Sequence, residues 1–431
     1  MKKHVFLISL FSLSTLASLP SQFDLRDSGE KSFVSSVKKQ QGGTCWTHAT
    51  MASLESNLLL TGEWEKNEST EDANLAEYHL DWWNGFNDHW NPDSESGGLS
   101  VHLGGDYRVA SAYLARGGAI SNKEAHTYKK APKQNATDYR SYYVRDIEWH
   151  DAGKNLENID SIKKALMQHG AMGTALCWSN SYYDSSSNTF YQSPKSSKEA
   201  NHAVAIVGWD DNRKTDAEKP GAWLIKNSWG TSWGDNGFFW ISYYDKVAGH
   251  HPEMGAVSFQ NVERQKYTHI YSHDFHGWRD TKSDAYEAFN SFVAEGNSGA
   301  PEKLQAVSFY TTEDGTEYTI DVYGAFENGE LTQVLSRGIG SKANKGFHTV
   351  DLEYPVALAP GQKFYVSVKL SKGGHAFDKT SNVPVLLGAE GRVTVRSKAN
   401  PGESYYKKEG QWVDLTTHDD SANFCIKALT N

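Results

Sequence analysis

The sequence predicts an α+β domain of two unlike lobes followed by an all-β sandwich. Three observations lead there. The chain has 431 residues, more than one ordinary core organises, so two domains are expected. Its first half carries helical spacing followed by short apolar segments. Beyond about residue 265 only period-two alternation remains.

The elements follow in order. From Thr44 through Leu60 the run looks helical, with Thr44 as N-cap and Gly62 as the glycine stop. Tyr107 to Leu114 predicts another helix, and Ile159, Ile162 and Leu166 predict one that ends at Gly170. After His169 the pattern changes to strands: Ala171–Cys177, His202–Trp209, Gly221–Lys226 and Gly237–Ser242, each bounded by turn-forming residues. In the last part Tyr318, Ile320 and Val322 alternate with polar residues. So do Phe364, Val366, Val368 and Leu370, then Val393 and Val395, then Phe424 and Ile426. Such alternation between Gly- and Pro-rich turns predicts a β-sandwich with one buried face per sheet. The expected domains are 19–263 and 265–431, with the boundary near Glu263–Tyr267.

Residues 1–18 read as a signal peptide: Met1-Lys2-Lys3-His4, an apolar stretch from Val5 to Leu16, and small residues at Thr15 and Ala17. The stretch is too short to span a bilayer, so the chain is expected to be secreted, periplasmic or held at the cell surface, with no transmembrane segment. Net charge is −10 with both signs interleaved, which argues against nucleic acid as a partner. Three cysteines, Cys45, Cys177 and Cys425, do not make a disulfide framework, and buried free thiols are expected at the last two.

Cys45 stands at the start of the first predicted helix, behind Gly42-Gly43-Thr44. Unpaired N–H groups and the positive end of the helix dipole stabilise a thiolate there, although a lone thiol is more often a buried structural residue. His202 opens an apolar strand, and Asn227 ends the next one within Asn227-Ser228-Trp229-Gly230. A thiol nucleophile needs a base, and the base needs a third group on its far nitrogen; an asparagine amide serves without adding charge.

Residues 19 to about 260 resemble a papain-family cysteine peptidase. The resemblance rests on Leu19-Pro20-Ser21-Gln22-Phe23-Asp24, Val37-Lys38-Lys39-Gln40, Thr44-Cys45-Trp46, His202-Ala203-Val204 and Asn227-Ser228-Trp229-Gly230, in the family's order. It implies Cys45 as nucleophile, His202 as base, Asn227 as orienter, and Gln40 with the Cys45 N–H as oxyanion hole. One residue is missing between this glutamine and the nucleophile, and Gln41 competes for the role. The resemblance further implies that Trp229 shields the histidine, that Gly104-Gly105 lines the substrate cleft (Gly97-Gly98 being a rival pair), and that His48 is a buried flank residue. No metal or organic cofactor is needed for such chemistry. A long inhibitory prosegment is not visible before Leu19, and the family's usual disulfides lack their partners.

The aspartates between Asp81 and Asp106 lack calcium-loop spacing and read as a solvated surface insertion. The final region resembles the lectin-like domain found behind papain-type domains in some bacterial secreted peptidases. That implies a glycan or cell-surface partner beside the protein or peptide substrate. Trp278 and Trp412 could stack on sugars, burial in the sandwich being the expected fate of both. Two rival functions stay open: a catalytically silent surface-binding protein, and a cell-wall peptide hydrolase.

Overall fold

The computed structural model describes residues 18–431 except 30, 69–71, 252, 298 and 385–390; the expected leader falls on 1–17, outside the described residues. The longer helices of the first domain are α1 (Cys45–Thr61), α2 (Glu77–Trp83), α3 (Tyr107–Gly117) and α4 (Ile159–His169). α1 is buried around almost its whole circumference, with Trp46, Met51, Leu54 and Leu58 sharing the interior with Ser53, Glu55, Ser56 and Asn57. Its polar residues are satisfied: Asn57 donates to the His169 carbonyl at 2.8 Å and accepts from the Val262 N–H at 3.0 Å. Gly62 closes the helix at φ 72°, as expected. Thr44 holds the N-cap position without capping; its hydroxyl donates to the Gln41 carbonyl at 2.9 Å.

The principal strands of this domain are β1 (Ser141–His150), β2 (Met172–Leu176), β3 (His202–Asp210), β4 (Ala222–Lys226), β5 (Phe238–Ser242) and β6 (Ala256–Arg264). Those after them include β7 (His269–Tyr271), β8 (Glu287–Val293), β9 (Glu302–Thr311), β10 (Thr316–Glu327), β11 (Glu330–Lys342), β12 (Gly346–Leu358), β13 (Lys363–Leu370), β14 (Ser404–Lys408), β15 (Gln411–Asp414) and β16 (Lys427–Thr430).

Among the described residues a 14-stranded sheet runs through both halves in the order β7-β16-β9-β12-β1-β6-β2-β3-β4-β5, ending in two short strands, with two more short strands paired off this path to β3 and β1. The crossing is at β12 and β1, where Gly346, Phe347 and His348 oppose Glu148, Ile147 and Asp146. Glycine is required at 346 because any Cβ would strike the Ile147 carbonyl. Polar ties reinforce the seam: His348 Nδ1 and Lys342 Nζ each reach Asp146 at 3.0 Å, and the Tyr143 hydroxyl meets those of Ser308 and Thr349 at 3.0 Å.

The second layer of the sandwich is a six-stranded sheet, β11-β10-β13-β8-β14-β15. Ile320, Val322, Phe364, Val366, Val368 and Phe292 from it pack on Leu304, Val307, Phe309 and Leu358 of the long sheet. Alternation thus reports the core of this layer correctly. Elsewhere the structure departs from the expected pattern. Val383 and Val395 belong to a two-stranded ribbon that joins the cluster containing Phe86 and Leu99 of the first domain. Ala306, Tyr310, Phe347 and Leu429 also join the first-domain cluster, so the two halves share apolar surface. Trp278 lies at this junction beside Trp149 and Tyr310, and Trp412 sits on the outer face of the six-stranded sheet against Phe289. Neither lies in the sandwich interior.

The stretch from Asp81 to Asp106 bears out the surface-insertion reading only in part. Asp88, Glu95 and Ser96 are exposed. Its ends are not: Asp81 and Asp106 are buried, and Asp93 accepts from the Lys398 N–H of the second domain at 3.2 Å.

Candidate active site

α1 delivers Cys45 at its first turn, and β3 and β4 deliver His202 and Asn227 from neighbouring strands. His202 Nε2 lies 2.8 Å from Asn227 Oδ1, which also accepts from the Ser228 backbone N–H at 2.8 Å. A backbone N–H can only donate, so the amide oxygen must face both groups and His202 Nε2 must carry the proton. Nδ1 is thereby left as the basic nitrogen. Trp229 stacks on the imidazole at 4.6 Å with 23° between planes, and is itself boxed edge-on by Trp178 and Trp233. These rings cover the imidazole on the side of its bond to Asn227.

Cys45, His202 and Asn227 are 0%, 4% and 2% exposed. Burial pushes the Cys45 thiol up to about 11, opposed by backbone groups of Ala203, Trp46 and Cys45 itself. Burial brings the His202 imidazole down to about 4, against the pull of Asn227. Both shifts favour the neutral forms of thiol and imidazole in this buried setting.

Gln40 is tied to the same strand end. Its N–H donates to the Ser228 carbonyl at 2.8 Å, its Oε1 accepts from the Ser228 hydroxyl at 2.6 Å, and its Nε2 donates to the Gly42 carbonyl at 2.9 Å. One amide hydrogen remains on Nε2. Gln41 differs: its backbone N–H goes to the Tyr78 hydroxyl at 3.1 Å and its side chain is exposed.

Gly105 lies against the indole of Trp46, where any Cβ would clash, and its φ is 154°. Gly104 precedes it, also buried, with φ 143°. Gly97-Gly98 sits apart, Gly98 packed on the Phe86 and Asn87 backbone. His48 is buried, donates Nδ1–H to the Thr44 carbonyl at 2.8 Å and is pushed down by burial, so its ring serves the helix. All three cysteines are free and buried.

Sequence reasoning missed a buried charge cluster behind the site. Lys38 Nζ lies 2.6 Å from both Glu55 and Glu77, and Lys226, next to Asn227, donates to Ser35 at 2.8 Å. Burial brings Lys226 down to about 8. A glutamate in the middle of an apolar helix was the available signal. It also missed His102, whose carbonyl accepts from the Gly43 N–H at 2.6 Å.

Comparison with known proteins places both domains in families. The profile of the papain family of cysteine proteases matches residues 19–255, and that of a lectin-like domain matches 270–430. Procathepsin L of Rattus norvegicus is 31% identical over 239 residues, 54% of this chain and 63% of its own length. The chain thus spans less than two thirds of that relative. The clostridial cysteine protease Cwp84 after propeptide cleavage superposes with a TM-score of 0.75 at 25% identity, over 96% of this chain and 100% of that one. The cysteine protease and lectin-like domains of Cwp84, described as a surface layer associated protein of Clostridium difficile, give 0.74 at 25%, over 96% of this chain and 89% of that one. Among the described residues no helix is long and apolar enough to cross a membrane. With its profile match spanning more than half of the sequence, this chain belongs to the papain family of cysteine proteases and carries a lectin-like domain behind the protease domain.

Proposed function

We propose that this protein is an exported peptidase in which Cys45 attacks peptide carbonyls. The observation that carries the reading is the His202 Nε2–Asn227 Oδ1 bond of 2.8 Å beneath Trp229, in a chain of this family. Nδ1 of His202 takes the thiol proton, and the thiolate adds to the carbonyl carbon. The resulting oxyanion is met by the Cys45 N–H, which has no intrahelical acceptor at the first helical position, and by the free amide hydrogen of Gln40. The imidazolium then protonates the leaving amine, and water, deprotonated by His202, releases the acyl group. Labelling with an epoxysuccinyl inhibitor followed by peptide mapping tests this. The expected adduct is on Cys45, with casein hydrolysis lost in parallel; an unlabelled Cys45 in a casein-cleaving preparation overturns it.

The same reading places the protein outside the cell or at its surface, with the second domain docking it on a glycan or another surface component. Support comes from the surface-layer association stated for Cwp84 and from an open cleft of about 720 Å³ in that domain. Phe326, Tyr365 and Tyr405 line the cleft beside Glu295, Glu403 and Lys363, a mixture of rings and charges suited to sugar faces and hydroxyls. Retention of the full chain on its own host's cell-wall polysaccharide, lost in Tyr365→Ala/Tyr405→Ala, is the expected result. Equal retention of that variant removes the cleft from the reading.

A further inference from the structure

The nucleophile loop is gripped from one side by a short segment, residues 102–105, that touches it both before and after Cys45. Upstream, the His102 carbonyl accepts from the Gly43 N–H at 2.6 Å, two residues ahead of the nucleophile. Gly42, at φ 66°, faces the same segment: a Cβ there would lie 2.6 Å from the Tyr128 hydroxyl and 3.1 Å from the His102 carbonyl. Downstream, Gly105 packs on the Trp46 indole so closely that only glycine fits.

What fixes this segment is His102 itself. It adopts φ 68°, a left-handed conformation uncommon for a residue with a side chain. The surroundings are specific. Its backbone N–H donates to Asp81 Oδ1 at 3.3 Å, and its Nδ1–H donates to Asp81 Oδ2. Its ring lies over Tyr128 with centroids 3.9 Å apart and edge-on to Trp82 at 4.9 Å. Asp81 is 1% exposed and belongs to α2, whose Tyr78 hydroxyl accepts from the Gln41 N–H at 3.1 Å. One helix thus holds the loop at Gln41 directly and at Gly43 through His102. The loop has one residue fewer between its glutamine and its nucleophile than the family pattern, so these external contacts set its path.

We propose that His102, locked by Asp81, is a positioning residue for the oxyanion site: it sets where the Cys45 N–H and Gln40 Nε2 point. This rests on Cys45 being the nucleophile. Donors for a transition-state charge work only at short range and in fixed directions, and displacements of about 1 Å cost up to about 100-fold in rate. Ground-state substrate binding draws on the rest of the cleft and depends on them much less.

The test uses the full chain carrying His102→Ala or Asp81→Asn, with active sites titrated by the epoxysuccinyl inhibitor so that unfolded molecules are not counted. Expected for His102→Ala is a fall in kcat of about tenfold or more per titrated site, with KM within about twofold. Affinity for a peptide aldehyde, which forms a tetrahedral adduct, should fall by the same factor as kcat. Asp81→Asn keeps an acceptor for the His102 ring and should fall less. A lowered melting temperature with kcat and aldehyde affinity unchanged per titrated site would mean a structural role only, and would overturn the proposal. Should His102→Ala fail to fold, unchanged kcat and aldehyde affinity in Asp81→Asn overturn it equally. Activity surviving in Cys45→Ala would instead remove the underlying reading.

Discussion

Ser228 and Gln40 bind each other twice, backbone N–H of Gln40 to carbonyl of Ser228 at 2.8 Å and hydroxyl of Ser228 to Oε1 of Gln40 at 2.6 Å. Because Ser228 follows Asn227, the residue bonded to the histidine and the candidate oxyanion donor are both tied to one strand end. Gln40→Ala should lower kcat by about 10²-fold with little change in KM, whereas Gln41→Ala should stay near wild type. Steady-state kinetics on dipeptidyl fluorogenic substrates decide it, and a larger loss at Gln41 reverses the assignment.

Removing the nucleophile should abolish activity while the fold persists. Cys45→Ala is expected to lose ~10⁴-fold or more in kcat. Asn227→Ala should lose less, roughly 10²-fold, since His202 still reaches the thiol part of the time. Casein hydrolysis with circular dichroism as a folding control measures both; near-wild-type turnover in Cys45→Ala sinks the mechanism.

Stability should fall with acid before most carboxylates titrate. Burial brings His79, His202 and His375 each down to about 4 from 6.5. Each takes up its proton more readily when unfolded, so its contribution is complete above about pH 6.5 and is lost as pH falls toward 4. Urea unfolding followed by tryptophan fluorescence at pH 7.5, 6 and 5 should show a declining midpoint. A midpoint constant over that range would contradict the assignment of neutral buried imidazoles.

Lys427 and Asp274 form an ion pair at 2.6 Å with 1% and 0% side-chain exposure. Lys427→Met strands a buried carboxylate and should cost roughly 3–5 kcal/mol, while Lys427→Met/Asp274→Leu should recover much of it. Chemical denaturation of the two variants checks the difference. A double variant as unstable as the single would mean that packing, rather than the stranded charge, sets the cost.

Residues 265–431, expressed alone, should fold as an all-β module, because Phe292, Ile320, Val366 and Phe424 form a core within it. Its stability should be below that in the full chain, since Ala306, Tyr310, Phe347 and Leu429 lose their first-domain partners. Far-UV circular dichroism and thermal melting test both statements, and a disordered product would mean that the halves fold only together.

The strands around His202 and Asn227 were legible because both faces are covered and apolar runs mark them. α1 was legible from its glycine stop and its apolar content. The roles of Gly105 and Asp81 were not. A glycine pair does not announce that Trp46 packs against one of its members, and Asp81 in a polar stretch looks solvated until His102 folds back onto it. Period-two spacing found Ile320 and Val366, but it could not tell that Val393 and Val395 serve a different core, because alternation records that a face is covered and not by what.

The pairing of Gly346–His348 with Asp146–Glu148 makes one sheet of the two halves, with no free linker between them. An enzyme tethered by a flexible arm sweeps a volume around its anchor. Here, any hold taken by the second domain would fix the direction in which Cys45 faces, so the protein would process what is presented along one bearing from its attachment point.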